Sequence, residues 1–290
     1  MTNLHELPKG TKIGKYRVEF LVGAGGFGHV YKVIDINTKQ NFALKTESSE
    51  ISHSFLKNEI SCLGHLNDSC FPSVRDSGQY KNLNYFVMNI YGKSIGSVCK
   101  AEKLSLDTTF PICYKMFTVI HTLHDRGYIH RDIKPSNFLV QLSRNDQLVL
   151  IDFGLALEYI DADTGELIQY QQFRFAGTKK YASIFSHKNN QLGRRDDLIS
   201  WIYSSIEIIT GSLPWSNCEN DDELLHLKES ISPEVLCKNV PVIFRKILKY
   251  LLTLKQTDNP SYKLIDKHLR KSMKENNIDL DTVNWNSLYI

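Results

Sequence analysis

The chain of 290 residues has no long apolar run, no marked excess of one charge and no paired cysteine spacing. No apolar stretch approaches the ~18–20 residues that span a bilayer. The richest, LVLIDFGLALEYI, is broken by Asp152 and Glu158, so no membrane partner is expected. Lys plus Arg number 35 and Asp plus Glu 32, a formal charge of +3. So small an excess points away from nucleic acid as a partner. Six cysteines stand at positions 62, 70, 99, 113, 218 and 237. None forms a CxxC pair, which excludes a zinc ribbon or a dithiol redox motif. Reduced thiols in a cytoplasmic protein, with entry to the nucleus left open, are the expectation. The start, MTNLHELPKGTK, lacks the apolar core of a signal peptide. Thr2 excludes N-myristoylation, and the end, SLYI, is not a prenylation box. Internal repeats and low-complexity segments are absent. What is present is ordinary: 42% apolar and 23% charged residues, enough for a globular core of one large domain or two lobes.

The first ninety residues read as strands with one helix. Lys15–Val22 and His29–Asp35 are rich in β-branched and aromatic residues, with a glycine cluster between them. Asn37-Thr38-Lys39 reads as a turn and Asn41–Thr46 as a third strand. Ile51, Phe55, Leu56, Ile60 and Leu63 recur at helical spacing. Short strands follow near Ser73–Gln79 and Asn84–Met88. After a connector at Asn89–Lys93 the period changes. Phe110, Tyr114, Phe117, Ile120 and Leu123 mark a long amphipathic helix. Leu198–Ile209 is apolar nearly all round and predicts a buried helix. More helices are expected at Asp221–Ser230, Val242–Leu254 and Ser261–Met273. The pattern is α+β: a small β-rich lobe over about residues 10–91, then a larger helical lobe over about 92–290.

The glycine cluster reads Gly23-Ala24-Gly25-Gly26-Phe27-Gly28-His29-Val30. By itself GxGxxG is weak, because dinucleotide-binding folds also carry it. Those folds open a helix there, whereas this cluster lies between two strands. Four glycines in six residues exceed what a hairpin turn needs. They let backbone N–H groups approach phosphate oxygens. A Walker A loop is excluded, since Gly92-Lys93-Ser94 ends correctly but Val87 stands where the motif needs glycine. Lys45 sits in the apolar strand Phe42-Ala43-Leu44-Lys45, and Glu59 lies on the following helix. Taken alone, each of these two is more often a solvated charge. Farther along come His130-Arg131-Asp132-Ile133-Lys134-Pro135-Ser136-Asn137 and then Asp152-Phe153-Gly154.

GxGxxG, a strand lysine, HRDxKxxN and DFG in this order resemble the protein kinases over nearly the whole chain. The resemblance implies one two-lobed kinase domain across residues 1–290 that transfers the γ-phosphate of ATP with Mg²⁺. It implies that Lys45 holds the α- and β-phosphates and that Glu59 holds Lys45. Asp152 would ligate Mg²⁺ and Asn137 the second Mg²⁺. Asp132 would accept the substrate hydroxyl proton and Lys134 would stabilise the transferring phosphoryl group. Lysine at that place is typical of Ser/Thr kinases. Nucleotide contacts would come from Val22, Gly23, Gly25, Gly26, Phe27 and Gly28. Val30 and Ala43 would roof the adenine, with Met88 as gatekeeper and backbone groups of Asn89 and Tyr91 at the hinge. The alternative is a kinase fold that binds nucleotide and partners as a scaffold without useful turnover.

Ala-Pro-Glu, which usually closes the kinase activation segment, is missing. Gly177-Thr178-Lys179-Lys180-Tyr181-Ala182-Ser183-Ile184 and Gly193-Arg194-Arg195-Asp196-Asp197-Leu198 stand instead. With Leu44-Lys45-Thr46-Glu47 and Leu213-Pro214-Trp215 they resemble the casein kinase 1 superfamily. Pro233-Glu234-Val235-Leu236-Cys237 is closer to casein kinase 1 proper, and Asp281-Thr282-Val283-Asn284-Trp285 to tau-tubulin kinases. Lys180 replaces the family's arginine, keeping the charge without the bidentate fork. Arg174, Lys180 and Lys228 are the candidate anion contacts, implying protein substrates with acidic or phosphorylated segments. The basic cluster of Arg174, Lys179, Lys180, Arg194 and Arg195 fits substrate binding and internal pairing equally. Asp197 would hold the backbone around His130 and Arg131. Thr178 resembles the threonine that contacts the catalytic aspartate. A monomer active without a phosphorylated activation segment is expected, with no appended regulatory tail.

Overall fold

The structure, a computed structural model, describes residues 6–26, 28–141, 148–161, 163–170, 174–280 and 283–289. The chain divides into two units. The first runs to Tyr91 and takes in Ile151–Ala156, and the second comprises Gly92–Leu150 with Leu157–Ile290.

Alternating apolar and polar residues build the first unit's sheet. Its strands are β1 (Lys12–Ile13), β2 (Tyr16–Gly25), β3 (Gly28–Asp35), β4 (Asn41–Ser48), β5 (Asp76–Tyr80) and β6 (Leu83–Asn89). They pair antiparallel in the order β1-β2-β3-β4-β6-β5. One face buries Tyr16, Val18, Tyr31, Val33, Leu44 and Val87 as a continuous cluster. Because strand side chains alternate, Ala43, Lys45 and Glu47 share the opposite face of β4. Helix α1 spans Phe55–His65. Ile51, which helical spacing would include, lies before it. Ser54 takes the cap position, its hydroxyl accepting from the Lys57 N–H at 3.1 Å, and the helix starts there.

DFG lies in the sequence beyond Gly92, in the stretch read as the helical lobe. The structure packs it into the first unit instead. The Phe153 ring meets Phe71 edge-on at 5.6 Å. The Asn58 amide donates to the carbonyls of Gly154 and Ala156, both at 3.0 Å.

The second unit is mainly helical: α2 (Ile95–Ala101), α3 (Leu106–Asp125), α4 (Ile184–His187), α5 (Arg194–Thr210), α6 (Asp221–Ser230), α7 (Pro233–Leu236), α8 (Val242–Thr253), α9 (Tyr262–Glu275) and α10 (Trp285–Tyr289). Short strand pairs, β7 (Tyr128–Ile129) with β10 (Leu157–Glu158) and β8 (Phe138–Val140) with β9 (Leu148–Leu150), complete it. Its core forms where α3 meets α5. The Trp201 indole N–H donates to the Cys113 carbonyl at 2.8 Å, and its ring packs on Phe117 and Phe244. No helix among the described residues is long and apolar enough to cross a membrane.

Candidate active site

Chemistry-bearing residues gather in two groups, one in each unit. In the first, Lys45 sits in β4 between Val30 of β3 and Phe86 of β6. Only 7% of it is exposed. Its ammonium lies 2.5 Å from Glu59 Oε2 and 2.8 Å from Asp152 Oδ1. Burial works against the charge, but the Glu59 and Asp152 carboxylates overcome it and hold the Lys45 pKa above its ordinary value. Burial pushes the Glu59 carboxyl up and the Lys45 ammonium opposes it. Glu59 Oε1 also accepts the Phe153 N–H at 3.2 Å. Asp152 has the left-handed backbone φ of +73°, uncommon for a residue with a Cβ. Its side chain is therefore aimed by backbone strain that the surrounding contacts maintain.

The glycine cluster closes the β2–β3 hairpin, with Gly25 opposite Gly28. Gly28 has φ +116°, and a Cβ there would collide with the Thr46 carbonyl. A Cβ on Gly23, Gly25 or Gly26 would meet no protein atom within 4 Å. Packing does not require glycine at those three positions, whereas close approach of a ligand anion to the backbone would. Phe27 lies outside the described residues. Val22 is 57% exposed beside the hairpin. Ala43 stands opposite Met88, both buried, Asn89 ends β6, and Tyr91 closes the unit's main segment.

The second group is built around Asp132. The Asp132 N–H donates to His130 Nδ1 at 3.2 Å. Asp132 Oδ2 accepts from the Lys134 ammonium at 2.6 Å and Oδ1 from the Thr178 N–H at 2.8 Å. Lys134 donates a second bond to Thr178 Oγ1 at 2.9 Å. The Asn137 amide nitrogen donates to the Asp132 carbonyl at 2.9 Å, which leaves its Oδ1 as the acceptor face. Gly177, φ +99°, lies where a Cβ would run into the Arg131 carbonyl.

This loop hangs on α5. Asp197 accepts the His130 N–H at 2.6 Å and the Arg131 N–H at 2.9 Å. It also bonds His124 at 3.0 Å, and His124 in turn bonds the Tyr262 hydroxyl at 2.6 Å. Burial would raise the Asp197 carboxyl, but His124 and the donated N–H bonds bring it below the ordinary value. Burial lowers the His124 pKa. The carboxylate therefore carries the charge of this buried knot.

Two of the three sequence-predicted anion contacts have partners within the chain. Lys180 is ion-paired with Glu207 of α5. Lys228 is 6% exposed. Its ammonium donates to the carbonyls of Lys179 at 2.7 Å and Ala182 at 2.6 Å and lies 3.2 Å from His187 Nε2. Desolvation lowers its pKa to about 7. Both lysines are thus engaged within the chain. Arg174 is exposed. Arg194 and Arg195 are internal as well. Arg194 stacks on Tyr159 and donates to the carbonyls of Thr257 and Asp258. Arg195 lies over the Phe185 ring and donates to the Leu254 carbonyl. Lys179 pairs with Asp221.

Sequence reasoning missed Glu207, Asn58 and His124. Glu207 had a signal, because it is the one acid in the nearly all-apolar stretch Leu198–Ile209 and needs a partner. Asn58 and His124 had none.

The donor set bears on a metal. Among the described residues no group of three or more His, Cys, Asp or Glu could hold one. Asp152 and Asn137 offer hard oxygens singly. Each, one in the first unit and one in the second, is the kind of oxygen that a hard divalent cation takes together with phosphate and water.

Residues 16–275 match the protein kinase domain family. The chain is also similar to a protein described as a probable serine/threonine-protein kinase from Dictyostelium discoideum. The two are 33% identical over 256 residues, 86% of this chain and 52% of that protein. The chain thus spans about half the length of that curated relative. The chain belongs to the protein kinase domain family.

Proposed function

We propose that this kinase domain is an active serine/threonine protein kinase using ATP and Mg²⁺. The observation that carries the reading is Asp132. Its carboxylate is held by the Lys134 ammonium and the Thr178 N–H. Phosphoryl transfer asks the protein mainly for positioning and charge neutralisation. A seryl or threonyl hydroxyl approaching Asp132 would pass its proton to that carboxylate. Lys134, already at the same oxygen, would balance negative charge on the transferring group. Lys45, kept charged by two carboxylates, would hold the α- and β-phosphates. Asp152 would ligate Mg²⁺ and Asn137 the second Mg²⁺, and the cations would screen the phosphate charge. The name of the Dictyostelium relative supports the Ser/Thr reading.

Membership of the casein kinase 1 superfamily is part of the proposal, on the activation-segment and Gly193–Leu198 motifs. A preference for acidic or phosphorylated segments rests on Arg174, since Lys180 and Lys228 are engaged within the chain. The enzyme is proposed to be a cytoplasmic monomer, with the nucleus as a second location.

The test is transfer of labelled phosphate from ATP to casein by wild type, Lys45→Met and Asp132→Asn. Strong incorporation by wild type and loss in both variants is expected. Equal incorporation by all three sinks the proposal. Nucleotide binding without turnover by wild type would favour the scaffold reading.

A further inference from the structure

We propose that Glu47 is a positioning residue that locks α1 against β4 and so keeps the Lys45–Glu59 pair assembled before nucleotide arrives. The inference rests on reading Lys45 as the phosphate ligand.

Glu47 is wholly buried. Its Oε1 accepts the N–H groups of Phe55 at 2.9 Å and Leu56 at 3.2 Å, and its Oε2 accepts from the Ser54 hydroxyl. The first N–H groups of a helix have no partner inside it. They also lie at the positive end of the helix dipole. The buried carboxylate and the open helix end therefore complete one another. Moving α1 away would strand a desolvated carboxylate.

Spacing converts that cap into a clamp. Glu47 and Lys45 are two residues apart on one strand face, about 6.6 Å at the rise of a β-strand. Phe55 and Glu59 are four residues apart on α1, about 6 Å at the helical rise. Glu47 meets the start of the helix and Lys45 meets Glu59 one turn later. Strand and helix thus run antiparallel with matched contacts, and neither can close in good geometry while the other is open. Asn58, beside Glu59, extends the clamp to the carbonyls of Gly154 and Ala156. The Phe153 N–H does the same at Glu59 Oε1. Every partner in this set lies in the first unit. Assembly of the lysine–glutamate pair therefore draws on the activation segment only as far as Ala156, before the first of its hydroxyl-bearing side chains. This supplies a physical reason for activity without phosphorylation of that segment.

The test uses the full chain as wild type, Glu47→Ala, Glu47→Gln and Ser54→Ala. Amide exchange is followed at Phe55 and Leu56 and across β2 and β3, together with affinity for a fluorescent ATP analogue. In Glu47→Ala we expect exchange at Phe55 and Leu56 to quicken about tenfold with β2 and β3 unchanged. Nucleotide affinity should fall about fivefold. Glu47→Gln keeps an acceptor oxygen and should recover most of both losses. Should the alanine variant not fold, Ser54→Ala, which leaves the two backbone bonds to Glu47, should still quicken exchange at Phe55 and Leu56 and weaken nucleotide binding, each about twofold relative to wild type. Quickened exchange with unchanged nucleotide affinity would reduce Glu47 to a helix cap and overturn the proposal. Unchanged exchange would overturn it too. These readouts need no turnover, so a wild type that binds nucleotide but transfers no phosphate would refute the kinase reading and leave the clamp standing.

Discussion

The carboxylate of Glu207 is ion-paired with Lys180 through one oxygen and accepts the Tyr181 hydroxyl through the other at 2.5 Å. A cation so neutralised has little attraction left for an acidic substrate. Glu207→Gln keeps an acceptor for Tyr181 and releases the lysine. Relative kcat/KM for peptides with Asp or phosphoserine near the acceptor should rise about three- to tenfold over neutral peptides. The gain should shrink as salt is raised. An unchanged ratio would mean that Lys180 does not face the substrate.

Asp197 holds the loop carrying Asp132 through the N–H groups of His130 and Arg131. Asp197→Ala leaves those two donors and His124 without their buried acceptor. A loss of about 3 kcal/mol in unfolding free energy is expected, lowering the thermal midpoint by roughly 6–12 °C. Phosphate transfer measured well below that midpoint should also fall, because the loop loses its anchor.

Lys228 gives a pH signature. Its folded pKa is lowered to about 7 from an ordinary 10.5 by desolvation. Between those values the unfolded chain binds the extra proton, so this lysine makes stability rise with pH. Below about 7 it is protonated in both states and adds no slope. Urea midpoints of wild type relative to Lys228→Met should climb from about pH 7 towards 10.5. The slope should be at most about 1.4 kcal/mol per pH unit. A flat difference would show the buried ammonium stays charged, held by the Lys179 and Ala182 carbonyls.

Gly177→Ala should cost about 1–3 kcal/mol in stability and at least about tenfold in kcat. The new Cβ meets the Arg131 carbonyl and must displace the neighbouring Thr178, whose N–H holds Asp132. Gly165→Ala is the control. It has the same sign of φ, +71°, but open space around its Cβ site. It should cost about 1 kcal/mol and leave kcat intact.

Much of the site could be read in advance because phosphoryl transfer uses short contiguous motifs. His130–Asn137 and Asp152–Gly154 name themselves by residue type and spacing. α3 showed through its period of 3.6 residues, and β4 as a short apolar run around Lys45. Helix α2 did not, since Ile95–Ala101 is too short to display a period. Nor could the place of Asp152 and Phe153 be read: they lie within the stretch read as the helical lobe but pack in the first unit, Asp152 on Lys45 and Phe153 on Glu59 and Phe71.

The sequence alone determined which chemical groups the chain has, their order, and which strand or helix carries each. It showed five basic residues near the activation segment, and their types were equally consistent with substrate binding and internal pairing. Only the tertiary structure decided between them. It sets Glu207 against Lys180, Asp221 against Lys179, backbone carbonyls against Arg194 and Arg195, and leaves Arg174 exposed. The reason is physical. The pairing of a charge depends on distance and local desolvation, and partners 27 or 42 residues away along the chain become neighbours only when it folds.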